Sequence, residues 1–235
     1  MQRYFALVKD HNVVLSEDDK HHIIRVMRMR IGDTFEVVDQ KIIYICEITS
    51  TNPLEVKIIE EKEEDVEINT KITLFFALAK GDKIDLVIQK ATELGVHRII
   101  LFNSKRCVVK FDNKDISNKL GRFNKIAKEA SEQCHRLIVP EIVGVIDLKD
   151  IDKYLEEANY LAYEKEAGNT TESFNLKPNI KSVSVMIGSE GGFEKEEVEY
   201  LNKIGFINVS LGKRILRCET AAIYALSVLA YKLEQ

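Results

Sequence analysis

The stretch VMIGSEGGFEKEEVEYL, residues 185–201, runs an apolar segment into a turn with three glycines and leaves it through a charged segment of helical character. Strand, glycine turn and helix in that order form the layout of a ligand loop in an α/β sheet, where ligands sit beyond the carboxyl ends of the strands. The turn fits neither phosphate template: it has no GxxxxGK[ST] and is not GxGxxG. Backbone N–H groups at the start of the next helix could still attract an anion. Glu190 inside the turn, followed by Glu194, Glu196 and Glu197, would oppose a polyphosphate. A neutral or cationic ligand suits it better, and a connection that binds nothing stays open at this point.

Two further loops follow strand-like segments. LGKRILR, residues 211–217, precedes the helical segment ETAAIYALSVLAY. Ile215 and Leu216 are apolar residues in a loop bounded by charges, so they either pack into the core or line a pocket. Glu219 and Thr220 open the helix, where an acid and a hydroxyl serve as caps. Arg217 lies beside the apolar pair and needs a partner there. The third loop, EKEAG at 164–168, follows NYLAY.

Working outward, strands alternate with helices from Lys71 onward. ITLFFALA, RIILFN, NYLAY, SVSVMIG and INVSL read as strands. Ile84, Val87, Ile88, Ala91 and Leu94 recur at helical spacing, with Gly95 placed as the cap. Further helices are expected over about 115–136, 194–204 and 219–233. The alternation predicts a mostly parallel α/β sheet. Residues 3–61 are different: short β-type runs (RYFALV, NVVL, TFEVVD, IIYICEI, LEVKII) interrupted by one helix over about 17–29. Ser16 is its expected N-cap, with Asp19 three residues on. Close strands with a single helix suggest a small barrel. The acidic EEKEEDVEIN, residues 60–69, reads as a linker, giving domains 1–69 and 70–235.

The 235 residues are 45% apolar and 31% charged, as in an ordinary globular protein. No apolar run reaches the ~18 residues of a membrane helix. The segment MQRYFALVKDHN has no signal-peptide core. Cys46, Cys107, Cys134 and Cys218 are scattered without CxxC, which predicts reduced thiols in a cytoplasmic protein and no metal site. His21 and His22 do not form a metal spacing. Charge is segregated: residues 1–70 carry a net −6 and residues 80–137 a net +6. The basic block is either a local polyanion footprint or a solvated helical surface.

IGSEGGFEKEEVE followed by LGKRILRCETAAIYAL resembles the carboxyl-terminal signature of the SPOUT RNA methyltransferases. More narrowly, it resembles the bacterial ribosomal RNA small-subunit methyltransferase E family, whose pattern is IGPEGGF…E and then LG.RILR.ETA…A. HHIIRVMRMRIGD (21–33), KGDKIDLVIQKATELGV (80–96), SKRCVVK (104–110) and RFNKIAKEASEQCHRLIVPEI (122–142) match in order, so the resemblance spans nearly the whole chain. It implies a SPOUT-type parallel sheet with a carboxyl-terminal trefoil knot, preceded by a small PUA-like β-barrel that binds RNA, in a homodimer. Periodicity alone would never suggest a knot.

The resemblance also implies the cofactor S-adenosylmethionine, which has no phosphates and carries a sulfonium cation. Cofactor contact carries over to Gly188, Glu190, Gly191, Leu211, Gly212, Ile215, Leu216, Thr220 and Ala221, with Ala162, Tyr163 and Glu164 added from the third loop. Ser189 stands where proline is usual, and Cys218 where threonine is usual. The implied reaction is methylation of N3 of a uridine in small-subunit (16S) ribosomal RNA, free or within the assembled subunit. A tRNA or large-subunit substrate, or a non-catalytic assembly factor, are the alternatives. A nicotinamide dehydrogenase is more distant, since the dinucleotide fingerprint is missing. N3–H is a poor nucleophile until its proton leaves, so the site must align the reactants and stabilise charge on the ring oxygens or accept the proton. Arg217 is expected in the electrostatic role, Glu219 as its orienter or a helix cap, and Glu190 as a candidate proton acceptor. N3 lies on the Watson–Crick edge, so the base must be unpaired or extruded. Candidate RNA contacts are Arg25, Arg28, Arg30, Lys105, Arg106, Lys110, Arg122, Lys128 and Arg136, with Gln133 and His135 as further possibilities.

Overall fold

The structure, a computed structural model, describes residues 1–109, 111, 113–163 and 174–235. The chain forms two compact units: Met1–Glu67 with Ser131–Ile138, and Ile68–Ala130 with Val139–Gln235.

In the first unit the strands are β1 (Arg3–Phe5), β2 (Leu7–Lys9), β3 (Asn12–Val14), β4 (Thr34–Asp39), β5 (Ile42–Thr51) and β6 (Leu54–Lys62). They form a four-stranded sheet of order β1-β4-β5-β6 and a separate β2-β3 pair. Tyr4, Ile23, Phe35, Val37, Cys46 and Ile48 make its buried core, with the Tyr4 and Phe35 rings edge to face at 5.5 Å. Helix α1 (Glu17–His21) begins as expected, the Asp19 N–H donating to Ser16 Oγ at 3.1 Å. It is shorter than its apolar pattern suggests. After His21 the backbone widens into a π-helical turn, His22–Val26, and Arg28 adopts φ +54°, a left-handed conformation that no helix propagates.

The expected linker over 60–69 is not featureless. Its first residues belong to β6, and Glu67 is an anchor within the first unit. Its carboxylate accepts the Arg136 guanidinium at 2.8 Å and the Leu137 and Ile138 N–H groups at 2.7 and 3.2 Å. Arg3, only 1% exposed, donates to Glu36 at 2.8 Å and to the His135 carbonyl at 2.6 Å. These buried, charge-assisted bonds hold 131–138 in the first unit, which sequence texture does not anticipate.

The second unit is built on β7 (Lys71–Ala77), α2 (Lys83–Glu93), β8 (Arg98–Asn103), α3 (Asn113–Gln133, its last turn counted with the first unit), β9 (Glu141–Asp147), β10 (Ala158–Ala162), β11 (Ser182–Ile187), α4 (Lys195–Lys203), β12 (Phe206–Val209) and α5 (Cys218–Leu233). Its sheet runs β12-β10-β11-β7-β8-β9, parallel throughout. Both faces are covered, so the central strands read as unbroken apolar runs: Ile72, Leu74, Phe75 and Phe76 of β7 are fully buried. Strand β9 is the one that sequence texture passes over. Gly144 interrupts its apolar run at φ +92°, beside a register shift against β8. Helix α5 packs on α2 and β11. The chain reaches β12 from β11 by crossing β10, so the carboxyl ends of β10, β11 and β12 converge.

Candidate functional site

A cavity of about 540 Å³ opens where those three strands end. Ala162 and Tyr163 at the end of β10, residues 187–193 from the end of β11 through its turn, residues 210–212 and 214–217 of the loop after β12, and Cys218 and Ala221 of α5 line it, together with Lys83. Its size falls in the range of small-molecule sites.

The turn needs its glycines. The Gly192 N–H donates to the Ser189 carbonyl at 2.9 Å, and Gly192 adopts φ +68°. A Cβ on Gly188 would lie 2.8 Å from Phe193 Cε2. Phe193 is 1% exposed and stacks on Phe102 with centroids 6.3 Å apart, so it has nowhere to go. The side chain of Ser189 is buried in the cavity wall, and its Oγ has no hydrogen-bond partner.

The acids that follow the turn are engaged from the far side. Arg106 donates through Nε and Nη2 to Glu194 at 2.9 and 3.1 Å, and through Nη1 to the Gly191 carbonyl at 2.8 Å. Glu197 accepts the Lys105 N–H and the Glu194 N–H, each at 2.8 Å. Glu194 and Glu197 therefore clamp the loop 104–107 to the glycine turn.

Glu190 is held by a cation that sequence reasoning missed. Lys83 Nζ lies 2.7 Å from Glu190 Oε1 and 3.6 Å from Glu219 Oε2. The Lys80 N–H also donates to Glu190 Oε1, at 3.3 Å, and the Cys218 thiol donates to Glu219 Oε2 at 3.3 Å. Burial alone would raise the Glu190 pKa. The Lys83 ammonium and the backbone N–H groups of Glu190 and Lys80 outweigh it and hold the carboxyl below its ordinary value. Glu219 follows the same pattern: burial raises it, and its own N–H, the Cys218 thiol, Lys83 and Arg217 more than compensate. The hydrogen bond to Glu190 pushes the Lys83 pKa up. Burial, aided by the Glu219 carboxylate, pushes the Cys218 thiol up to about 12, so it stays protonated. The available signal for Lys83 was its place in KGDKIDLVIQKATELGV; its partners lie more than a hundred residues away in sequence.

In the second loop, Gly212 adopts φ +111°, and Leu211, Leu216 and Ala221 supply apolar wall. Ile215 is 87% exposed at the cavity. Arg217 is exposed there, and among the described residues its guanidinium has no hydrogen-bond or salt-bridge partner, though its charge acts on Glu219. Thr220 does not line the cavity. It lies on an outer groove of α5 with Ile223, Tyr224, Val228 and Tyr231. Glu164 and Lys110 lie outside the described residues.

Of the expected RNA contacts, Arg25, Arg28, Arg30 and Gln133 are exposed. Lys105 is exposed with its Nζ 3.6 Å from Glu196, Arg122 is paired with Asp85, and Lys128 is half-buried. Two cations depart from the expectation. Arg136 is 5% exposed and turned inward onto Glu67, and Arg106 is spent on Glu194 and Gly191. Among the described residues there is no cluster of three or more potential metal ligands, and no helix is long and apolar enough to cross a membrane.

The family model described as RNA methyltransferase domain matches residues 66–230, and that described as RNA methyltransferase PUA domain matches 15–61. Ribosomal RNA small subunit methyltransferase E of Bacillus subtilis is 35% identical, the match covering 100% of this chain and 98% of the relative. The same-named protein of Neisseria gonorrhoeae, solved bound to S-adenosyl methionine, superposes with a TM-score of 0.87 at 27% identity, covering 99% and 98% of the two chains. A methyltransferase from Legionella pneumophila, solved with the bound cofactor SAM, gives a TM-score of 0.89 at 29% identity, covering 98% and 97%.

Proposed function

This chain belongs to the ribosomal RNA small subunit methyltransferase E family, and from that premise we propose that it methylates small-subunit ribosomal RNA with S-adenosylmethionine, at N3 of a uridine. The carrying observation is the cavity: glycine turns and apolar walls, with Glu190 held by Lys83 and an exposed Arg217 among the lining residues. The residues present fit the cofactor. Gly212 has open space where a Cβ would stand, Gly188 and Gly191 let the turn pack against Phe193 and Arg106, Leu211, Leu216 and Ala221 give an apolar seat, and the buried Ser189 Oγ lacks a partner that a ligand could provide. Ala162, Tyr163 and Ile215 complete the lining.

When bound, S-adenosylmethionine supplies an electrophilic methyl group on a cationic sulfur. The chain contributes the rest. Arg217, always protonated, stabilises negative charge on the uracil oxygens as N3 loses its proton. Glu190, held ionised, accepts that proton, and Glu219 keeps the Lys83 ammonium in place. Exposed Arg25, Arg28 and Arg30 in the PUA-like unit, together with Lys105, bind the RNA backbone and make affinity salt-sensitive. The reading includes a knotted path through the cavity loops and a homodimer, supported by the apolar groove with exposed Tyr224 and Tyr231 on α5.

The test is transfer of labelled methyl from S-adenosylmethionine to free 16S RNA, assembled small subunits, large-subunit RNA and tRNA, with nucleoside mass spectrometry of the product. The reading expects 3-methyluridine in small-subunit RNA alone. Label in tRNA or large-subunit RNA, or no transfer to any, overturns it.

A further inference from the structure

We propose that Lys83 is a positioning residue for the reaction: its ammonium, set between the cavity-lining Glu190 and Glu219 of α5, fixes Glu190 as the acceptor of the proton that leaves the target base. The inference rests on the function proposed above and deepens it.

Three separate elements build this clamp. Lys83 is the first residue of α2, Glu190 lies in the turn after β11, and Glu219 sits in the first turn of α5. The groups that act on Glu190 are Lys83 and the Lys80 N–H, with Cys218 of α5 nearby; Glu219 acts on Lys83 and Cys218, and Arg217 on Glu219. Both bonds from α2 and its approach, the Lys83 ammonium and the Lys80 N–H, fall on Oε1. Oε2 carries neither, on a side chain that lines the cavity. Glu219 holds the ammonium from the other side while its Oε2 also accepts the Cys218 thiol. A lysine whose only task was to join helices would not need a cavity-lining carboxylate as its nearer partner. In the step itself the N3–H bond breaks and its proton passes to Glu190. The N3 electron pair forms the new N–CH3 bond, and the pair of the broken S–CH3 bond stays on sulfur, so charge and atoms balance.

The test is the pH dependence of single-turnover methyl transfer for the wild type, Lys83→Met and Lys83→Arg, alongside S-adenosylmethionine affinity and melting temperature. An ionised Glu190 is required, so the rate falls as pH drops through its pKa. Removing the cation raises that pKa and moves the acid limb to higher pH. Lys83→Met is expected to show this shift, with the neutral-pH rate lowered severalfold because Glu190 is no longer held in place, and cofactor affinity little changed. Lys83→Arg is expected to restore the wild-type limb. If Lys83→Met melts too early to assay, Lys83→Gln keeps a hydrogen bond without charge and reads the same way. A wild type that transfers no methyl to ribosomal RNA would sink the functional reading. An active wild type whose Lys83→Met or Lys83→Gln variant kept both rate and acid limb would overturn the role of Lys83 alone.

Discussion

Replacing Gly188 by alanine separates a turn that is merely structural from one that shapes a ligand seat. The added methyl would stand 2.8 Å from Phe193 Cε2, 3.1 Å from its Cδ2 and 3.3 Å from the Gly192 carbonyl carbon. The Phe193 ring cannot retreat, being buried and stacked nearly parallel on Phe102 at an interplanar angle of 8°. Overpacking of this kind costs about 1–3 kcal/mol. At about 2–4 °C per kcal/mol for a chain of this size, the melting temperature should fall by roughly 2–12 °C. The turn must move by tenths of an ångström, and it forms the cavity wall, so calorimetric affinity for S-adenosylmethionine should fall at least tenfold. Gly191→Ala provides the comparison. Its Cβ would meet Arg106 Cβ at 3.0 Å, Cδ at 3.4 Å and the Arg106 carbonyl oxygen at 3.4 Å, contacts less close than the 2.8 Å at Gly188. It should melt nearer the wild type. A Gly188→Ala protein with wild-type melting and wild-type affinity would refute the packing argument. One that melted early but bound the cofactor normally would remove the turn from the ligand site.

Arg217→Ala should lower kcat by at least tenfold while leaving the Michaelis constant for RNA nearly unchanged; the reverse pattern would make Arg217 a binding residue only. Arg106→Ala frees the glycine turn from Glu194 and Gly191, and should weaken cofactor binding several-fold in calorimetry with little change in the salt slope of RNA binding. Burial raises the Glu36 pKa, but hydrogen bonds from Arg3 and Lys62 outweigh it, so the folded value lies below the unfolded one. Stability from that network is therefore present above the unfolded carboxylate pKa, about 4.3, and is lost as pH falls through the folded value. Arg3→Met, which leaves the 5%-exposed Glu36 carboxylate with Lys62 but without its buried guanidinium partner, should cost about 1–3 kcal/mol at neutral pH and shrink the acid-dependent part of a circular dichroism titration. On the proposed homodimer, Tyr231→Glu on the α5 groove should shift light-scattering mass from dimer to monomer; an unchanged dimer mass would remove that face as the interface.

The parts of the molecule legible in sequence are those whose signal is local. Parallel strands covered on both faces leave runs such as ITLFFALA, and amphipathic helices leave spacings such as Ile84, Val87 and Ile88. Both loops of the candidate site are contiguous segments with unusual composition, so they stood out. β9 is hidden because a glycine at positive φ breaks its run, and the apolar pattern after Ser16 outruns the α-helix because a π-helical turn keeps it going. Charges were the least legible. A count of lysines and arginines cannot tell Arg28, which faces solvent, from Arg136, which faces Glu67, because direction is decided by partners far along the chain.

The same limit explains why a carboxylate in the glycine turn looked paradoxical. In sequence, Glu190, Glu194, Glu196 and Glu197 form one acidic run. In the fold, Glu194 and Glu197 point to the loop 104–107, and Glu190 points to Lys83. Among the described residues, the charged side chains that line the cavity are Glu190, Lys83, Arg214 and Arg217, so Glu190 is the one anion there. On the proposed reading Glu190 suits a cationic methyl donor, and the arginines suit an anion developing on the base. Had the turn carried the lysine of a phosphate loop in its place, every one of these side chains would be a cation, and the cationic donor would meet only repulsion.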